Sequence, residues 1–439
     1  QPMVAQTPIE IRTQRTVASG ARLFLPLIQA GEALPFHDAS VGDNLIIIPV
    51  IPVSKGIIKR QTYPQVRLLP TVQGIVIQPK IDDLRVRSTS KGVQVYSASK
   101  LTLSPPDPKA AAKSRISSLG SMKLIFKPDV WRLGRLHGMG KFNRNRQDMM
   151  ARIANSRGDA RQKARIELTQ YLFGLNLGYE ALAVLRRIQD ANPNVEASAG
   201  FRLLRGGSNY LIGRYEEAKK DLDDPSLNES DEGQFWRAIN LAGGGALVEA
   251  APMLKKTGRT ILSYPKRIKL PLGLLLINAA VKAGDVAFAT NYLQIISEEE
   301  PTPKEVDQLA LVEGKLQQLV GEPGSAVEAW KSVAEGEHRP SIAEAILRRV
   351  ELELLSKKIK TKEAIEELER VRYSWRGGDL ELELLWKLGR YYFAVEDYRN
   401  GLRTLRSAGS QFGEHPNAPK IAEDMSNAFV SLYLKDAAD

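Results

Sequence analysis

Gly213-Arg-Tyr-Glu-Glu-Ala218, inside the stretch Leu211 to Leu222, sets a glycine, an aromatic and an alanine at fixed spacing, and the alanine recurs. With Ala218 as anchor, comparable small residues stand at Ala181, Ala250, Ala289, Ala326, Ala364 and Gly401, at intervals of 37, 32, 39, 37, 38 and 37 residues. Four positions after the anchor come Leu185, Leu222, Leu254, Leu293, Trp330, Leu368 and Leu405, all large and apolar. Twelve before it come Thr169, Gly206, Ala238, Ile277, Gly314, Leu352 and Gly389. Such a period marks a chain of similar units rather than one core. Two helices approach to about 8 Å only where the crossing residue has almost no side chain, and the next-turn leucine fills the space behind it. Pro193 and Pro301, twelve residues past their anchors, end their units as a proline beyond a helix end does.

These residues resemble the tetratricopeptide repeat, a pair of antiparallel helices with a unit length of about 34 residues. The resemblance covers residues 160 to 435. With the front region described below, it implies an α+β multidomain chain: a small N-terminal β-rich domain followed by an all-α tetratricopeptide-like superhelical solenoid of about seven units. It also implies a groove lined by the first helix of each unit, at Lys163, Gln170, Phe173, Phe235, Asn278, Lys315, Gln318, Arg349, Trp386, Arg390 and Phe393, holding another protein or a peptide. Tyr215 and Tyr398 occupy equivalent places in their units and read as packing residues. Pro225 predicts a short second helix in the unit that holds Tyr215, Gly243-Gly-Gly245 predicts a loose turn, and the long intervals predict extended inter-helix turns. An irregular helical bundle is the alternative architecture.

Residues 8 to 103 carry a different rhythm. Pro8-Ile-Glu-Ile-Arg-Thr, Ala21-Arg-Leu-Phe-Leu-Pro, Asp43-Asn-Leu-Ile-Ile-Ile-Pro-Val and Gly74-Ile-Val-Ile-Gln-Pro are short β-rich runs separated by Pro, Gly and Asp. The hairpin Leu84 to Tyr96 would place Leu84, Val86, Val93 and Val95 on one face, Arg85, Arg87 and Gln94 on the other, with a positive φ at Gly92. This pattern, over residues 20 to 100, resembles the AMIN-type β modules of bacterial envelope proteins, and that resemblance implies a periplasmic setting near the cell wall. The expected domains are therefore 1–103, β-rich; 104–126, a linker of Pro, Ala and Ser; 127–159, a basic segment leading into helices; and 160–439, the helical repeats.

Charge divides along the same lines. The net charge is +11, but residues 1–166 hold 27 Lys+Arg against 10 Asp+Glu, and the rest 35 against 41. A basic front suits an anionic envelope component or nucleic acid. Residues 127–166 alone hold 11 Lys+Arg and three acids, with Trp131 and Phe142 among them, which fits either a phosphate-gripping segment or the solvated face of the first helices. A helical-repeat protein that binds nucleic acid through 127–166 is accordingly the alternative function.

Enzymatic readings find little footing. There is no cysteine, so thiol nucleophiles, zinc thiolates and disulfides are excluded. The four histidines stand at no metal spacing, and neither HExxH nor GxSxG occurs. Gly134 to Phe142 departs from a phosphate loop at its first glycine and at the hydroxyl position, and Glu298-Glu-Glu300 reads as solvated charge at a helix end. No catalytic residue, metal or cofactor is expected. No apolar run reaches the roughly 20 residues a membrane span needs. The chain begins at Gln1 without a charged-then-apolar leader, which reads as a mature form with its signal peptide removed; the periplasm is the expected compartment, the cytoplasm the alternative.

Overall fold

The structure, a computed structural model, describes residues 7–9, 11–16, 20–27, 30–38, 43–51, 55–58, 60–89, 92–97, 101, 122–131, 140–299 and 301–436. Residues 104–121 of the expected linker and most of the Gly134 to Phe142 stretch lie outside them. The chain forms two compact units, Gln1–Glu300 and Pro301–Asp439.

In the first unit the alternating runs become strands: β1 (Thr7–Pro8), β2 (Arg12–Thr16), β3 (Gly20–Pro26), β4 (Leu34–Asp38), β5 (Asp43–Ile48), β6 (Lys55–Gly56), β7 (Gln61–Thr62), β8 (Val66–Leu69), β9 (Ile75–Pro79), β10 (Leu84–Thr89) and β11 (Gly92–Ser97). They pair into sheets of order β10-β11-β3-β2 and β4-β5-β9-β8-β7, with β1 parallel to β6. One core serves both larger sheets: Leu23, Leu25, Val93 and Val95 from one meet Ile48, Val66, Leu68, Ile75 and Ile77 from the other, as the period-2 pattern requires. The β10/β11 hairpin has the expected faces, with Val86 opposite Val95 and Arg87 opposite Gln94. At Gly92 the φ is +152°, and any Cβ there would meet the Leu25 carbonyl and, at 3.0 Å, the Phe24 ring. Close approach of β3 thus demands the glycine as much as the turn does.

Sixteen α-helices follow among the described residues. After α1 (Phe142–Asn155) come hairpins α2 (Gly158–Gly174) with α3 (Gly178–Ala191), α4 (Ala199–Leu211) with α5 (Tyr215–Leu222), α6 (Asp231–Gly243) with α7 (Leu247–Thr257), and α8 (Lys266–Lys282) with α9 (Val286–Ser297). The β module meets this array at α9, where Gln294 Nε2 donates to the Thr13 carbonyl at 3.3 Å. The second unit holds α10 (Pro303–Leu319) with α11 (Pro323–Ala334), α12 (Arg339–Leu355) with α13 (Thr361–Val371), α14 (Gly378–Ala394) with α15 (Tyr398–Gln411), and a final α16 (Ala418–Asp436).

Every anchor falls on a second helix, and Ala181, Ala218, Ala250, Ala289, Ala326 and Ala364 are all fully buried. A Cβ on Gly206 would stand 2.8 Å from Leu222 Cγ, on Gly314 2.6 Å from Trp330 Cδ1, and on Gly389 2.5 Å from Leu405 Cγ. Where the twelve-before position is glycine, the residue four past the anchor therefore occupies the space a side chain would take. At Gly401 the anchor itself has lost its methyl because Phe393 lies against it, 2.5 Å from where a Cβ would be. These hairpins have tetratricopeptide-like architecture.

All seven hairpin turns close alike. Leu177 N–H donates to Leu172 O (3.0 Å), Arg214 to Asn209 (2.9), Ala246 to Leu241 (3.2), Asp285 to Ala280 (2.9), Glu322 to Gln317 (2.9), Lys358 to Glu353 (2.8) and Asp397 to Tyr392 (2.9). The residue before each donor has positive φ: Asn176, Gly213, Gly245, Gly284, Gly321, Lys357 and Glu396. This is a Schellman closure, which needs one left-handed residue past the helix end. Two expectations are corrected. The Gly243-Gly-Gly245 turn has the same closure as the others, because Gly245 supplies the left-handed residue at no steric cost. The turns within hairpins are short, and the extra length lies in longer first helices and in connections between hairpins, such as 192–198 and 258–265. As expected, α5 stops at eight residues ahead of Pro225.

Candidate functional site

The first helices α2, α4, α6 and α8 pack side by side in the first unit. Against this row lies a non-helical stretch, Met122–Lys127, followed by a single 3₁₀ turn, Pro128–Trp131. Residues 122–126, at the end of the expected linker, dock on this row. Lys123 N–H donates to Asp231 Oδ2 at 2.8 Å, and Asp231 N–H and Ser230 Oγ–H return bonds to Lys123 O at 3.0 and 3.1 Å. Next, Ile125 and Phe126 N–H both donate to Glu232 Oε2 at 2.8 Å. Phe126 and Trp131 are 7% and 1% exposed.

Glu232 is the centre of this arrangement. It sits in the first turn of α6, fully buried. Its other oxygen accepts the Tyr264 hydroxyl, and Tyr264 in turn accepts Trp236 Nε1–H at 2.7 Å. Burial pushes the Glu232 carboxyl up to about 7, with the bonds from Tyr264, Phe126 and Ile125 pulling the other way. Around it stack Trp131, Phe173, Trp236 and Tyr264, the Trp131 ring 5.1 Å from Tyr264 and 5.7 Å from Phe173. The Phe126 and Trp131 rings lie over Gly200 and Gly174, 3.5 and 3.4 Å from where a Cβ would stand, which is ordinary contact distance.

The sequence-derived groove residues divide accordingly. Phe173 and Phe235 are fully buried and belong to the core, since a first helix flanked by two others and backed by its own partner has little free face. Gln170 is half-buried on α2, and Asn278 turns back to donate to Leu274 O on its own helix at 2.9 Å. Lys163 is exposed, but it lines an open cleft of about 440 Å³ between α1 and α2 with Arg152, Asn155 and Glu167. In the second unit Lys315 pairs with Glu344 at 2.7 Å, and Arg349 pairs with Glu353 at 2.9 Å and with Glu367. Trp386 Nε1–H donates to Asp424 Oδ2 on α16 at 2.7 Å, fixing that ring to the last helix. Phe393 stacks on Tyr398 and fills the space beside Gly401, a packing role. Gln318 and Arg390 stay exposed on α10 and α14.

The first helices of the second unit are stitched by charge. Arg348 on α12 reaches Glu383 on α14 through two bonds of 2.7 and 2.8 Å and also pairs with Glu344 and Glu351. Lys387 pairs with Glu351 and Glu383. Burial alone would raise the Glu344 carboxyl, but Lys315 and Arg348 outweigh it and hold it below the usual carboxylate range. Arg144 and Arg146 of α1, and Lys141 and Arg157 just before α1 and α2, are exposed, while Trp131 of the same basic segment is core. No group of His, Asp and Glu able to hold a metal occurs among the described residues, and none of their helices is long and apolar enough to cross a membrane.

No family model and no curated protein sequence matches the chain. Among solved structures it is similar to a chain of the APC/C hetero-tetramer Cut9-Hcn1, at 12% identity and a TM-score of 0.42, covering 69% of this chain and 58% of that one. It is also similar to a tetratricopeptide repeat protein from Parabacteroides merdae, at 13% identity and a TM-score of 0.42, covering 61% of this chain and 98% of that one. A third is the apo form of the quorum sensor NprR from B. thuringiensis, at 10% identity and a TM-score of 0.43, covering 74% and 100%.

Proposed function

We propose that this chain is a non-enzymatic protein-interaction scaffold whose first-helix rows receive a partner protein or peptide. One observation carries the reading: the row α2, α4, α6, α8 already holds a non-helical stretch through its backbone amides and two aromatic side chains. Those are the contacts by which a peptide is held in a groove, with main-chain bonds giving affinity and pocketed rings giving selectivity. Affinity purification with the full chain, compared with a K163E/Q318E/R390E variant that changes only exposed residues, tests it. Loss of co-purifying protein supports the reading, and equal recovery with the variant defeats it.

The setting we propose is the bacterial cell envelope, with the basic β-rich module against an anionic envelope component. The support is the basic excess of residues 1–166 and the resemblance of the strand pattern to AMIN-type modules. Fractionation that recovers the protein only from the cytoplasm would reject this part alone. The exposed arginines and lysines of α1 and α2 favour a second reading, binding to nucleic acid. It requires an affinity for generic DNA that falls steeply with salt, and a negligible signal at low salt removes it.

A further inference from the structure

We propose that Met122–Trp131 is a built-in occupant of a peptide site on the first-helix row of the first unit. In its place the site takes a partner peptide of the same form: non-helical backbone presenting two successive N–H groups, an aromatic side chain beside them and a second one five residues on. The inference rests on the scaffold reading and names the chemistry of the partner.

The pocket reads groups that any peptide carries. Both bonds to Glu232 Oε2 come from main-chain N–H, and the Lys123 contacts at Ser230 and Asp231 are likewise made through its backbone. The one charged side-chain pair of the segment among the described residues, Lys123 with Glu229, is 71% and 92% exposed and adds little. Selectivity then falls to the two rings, Phe126 beside Gly200 and Trp131 among Phe173 and Tyr264.

A buried first-helix acid does not need a distant segment to satisfy it. In the second unit Asp307, near the start of α10, receives Glu337 and His338 N–H at 2.6 and 2.8 Å from the connection leading into α12. Glu232 instead takes its two amides from residues 106 and 107 positions away. The fit of the built-in segment is also incomplete, because the buried Trp131 Nε1–H has no hydrogen-bond partner among the described residues. A buried donor left unpaired carries an uncompensated desolvation penalty, so a peptide with a plain phenyl ring there gives up no hydrogen bond. If the segment leaves, Glu232 keeps its Tyr264 bond and gains water, so no charge is stranded.

The test uses the full chain with F126L, which keeps a large apolar group, and with F126A as a stronger lesion. Each is titrated with a fluorescein-labelled peptide of residues 122–131 and followed by anisotropy. A tethered segment competes at millimolar effective concentration, so the peptide should bind F126L saturably and at least about tenfold more tightly than it binds wild type, and F126A more tightly still. Adding E232A to F126L should weaken binding by at least about tenfold, since both main-chain N–H groups lose their acceptor in a buried site. Binding no tighter than to wild type, or indifference to E232A, overturns the proposal. Loss of helical circular dichroism in F126L also overturns it, because the segment would then be a fixed part of the core. No native partner is involved, so these failures leave the scaffold reading to its own test.

Discussion

Gly314 and Trp330 offer the sharpest quantitative check on the repeat. A methyl on Gly314 would lie 2.6 and 2.7 Å from Trp330 Cδ1 and Cε2, about 1 Å inside carbon contact distance. Trp330 is fully buried and donates Nε1–H to Leu311 O at 3.2 Å, so the ring cannot step aside without losing that bond. Overpacking costs about 1–3 kcal/mol, and alanine returns about 1 kcal/mol in helix propensity, which leaves G314A destabilised by up to about 2 kcal/mol. W330L alone opens a cavity and costs about 2–4 kcal/mol. The double variant recreates the pair Ala238 and Leu254 that the α6/α7 hairpin uses natively, both buried. On the W330L background, G314A should therefore stabilise, giving a coupling energy of about 2 kcal/mol. Urea unfolding followed by far-ultraviolet circular dichroism, which does not depend on the mutated tryptophan, measures all four corners of the cycle. Additivity within about 0.5 kcal/mol would refute the claim that these two positions share one space.

Three further outcomes are expected. N176G, K357G and E396G should each raise stability by about 1 kcal/mol in urea melts, because a left-handed φ strains any residue with a Cβ, while G213A should lower it by a similar amount. Glu232, held near pKa 7 against an ordinary 4.5, takes up a proton on folding, so its contribution is full below about pH 4.5 and is lost as pH rises through about 7. The groups facing it are the Tyr264 hydroxyl and backbone amides; relative to E232Q, wild type should lose up to about 3 kcal/mol between pH 5 and 8 in urea melts, and parallel pH profiles would contradict this. Finally, R348A should cost about 1–2 kcal/mol in thermal or urea unfolding, since, among the described residues, half-buried Glu351 and Glu383 keep only Lys387 and Glu344 keeps only Lys315, and the loss should change little in 0.5 M salt.

The repeat was legible because its rule is steric and local: a small residue at the crossing and a large one a turn later leave the same trace in every unit. The strand module was legible for a similar reason, since Leu23 and Leu25 or Ile75 and Ile77 alternate across a sheet with one face in the core. The groove was harder. Phe173 and Phe235 look like surface aromatics on amphipathic helices, yet neighbouring first helices bury them, and that crowding depends on residues tens of positions away. Glu232 was missed because an acid in a helix's first turn is ordinary in sequence. Only the fold brings the amides of Ile125 and Phe126 to it. The tryptophans held a usable hint, as Trp131, Trp236 and Trp330 are all buried anchors.

The central claim is that partners sit on the first helices. A photo-crosslinking amino acid placed at Gln318 on α10 or Arg390 on α14, against a control at Glu328 on the second helix α11, tests it in the full chain; all three positions are exposed. Irradiation should yield partner adducts from Gln318 or Arg390 and none from Glu328. Adducts from Glu328 alone would place the binding face on the second helices and contradict the account.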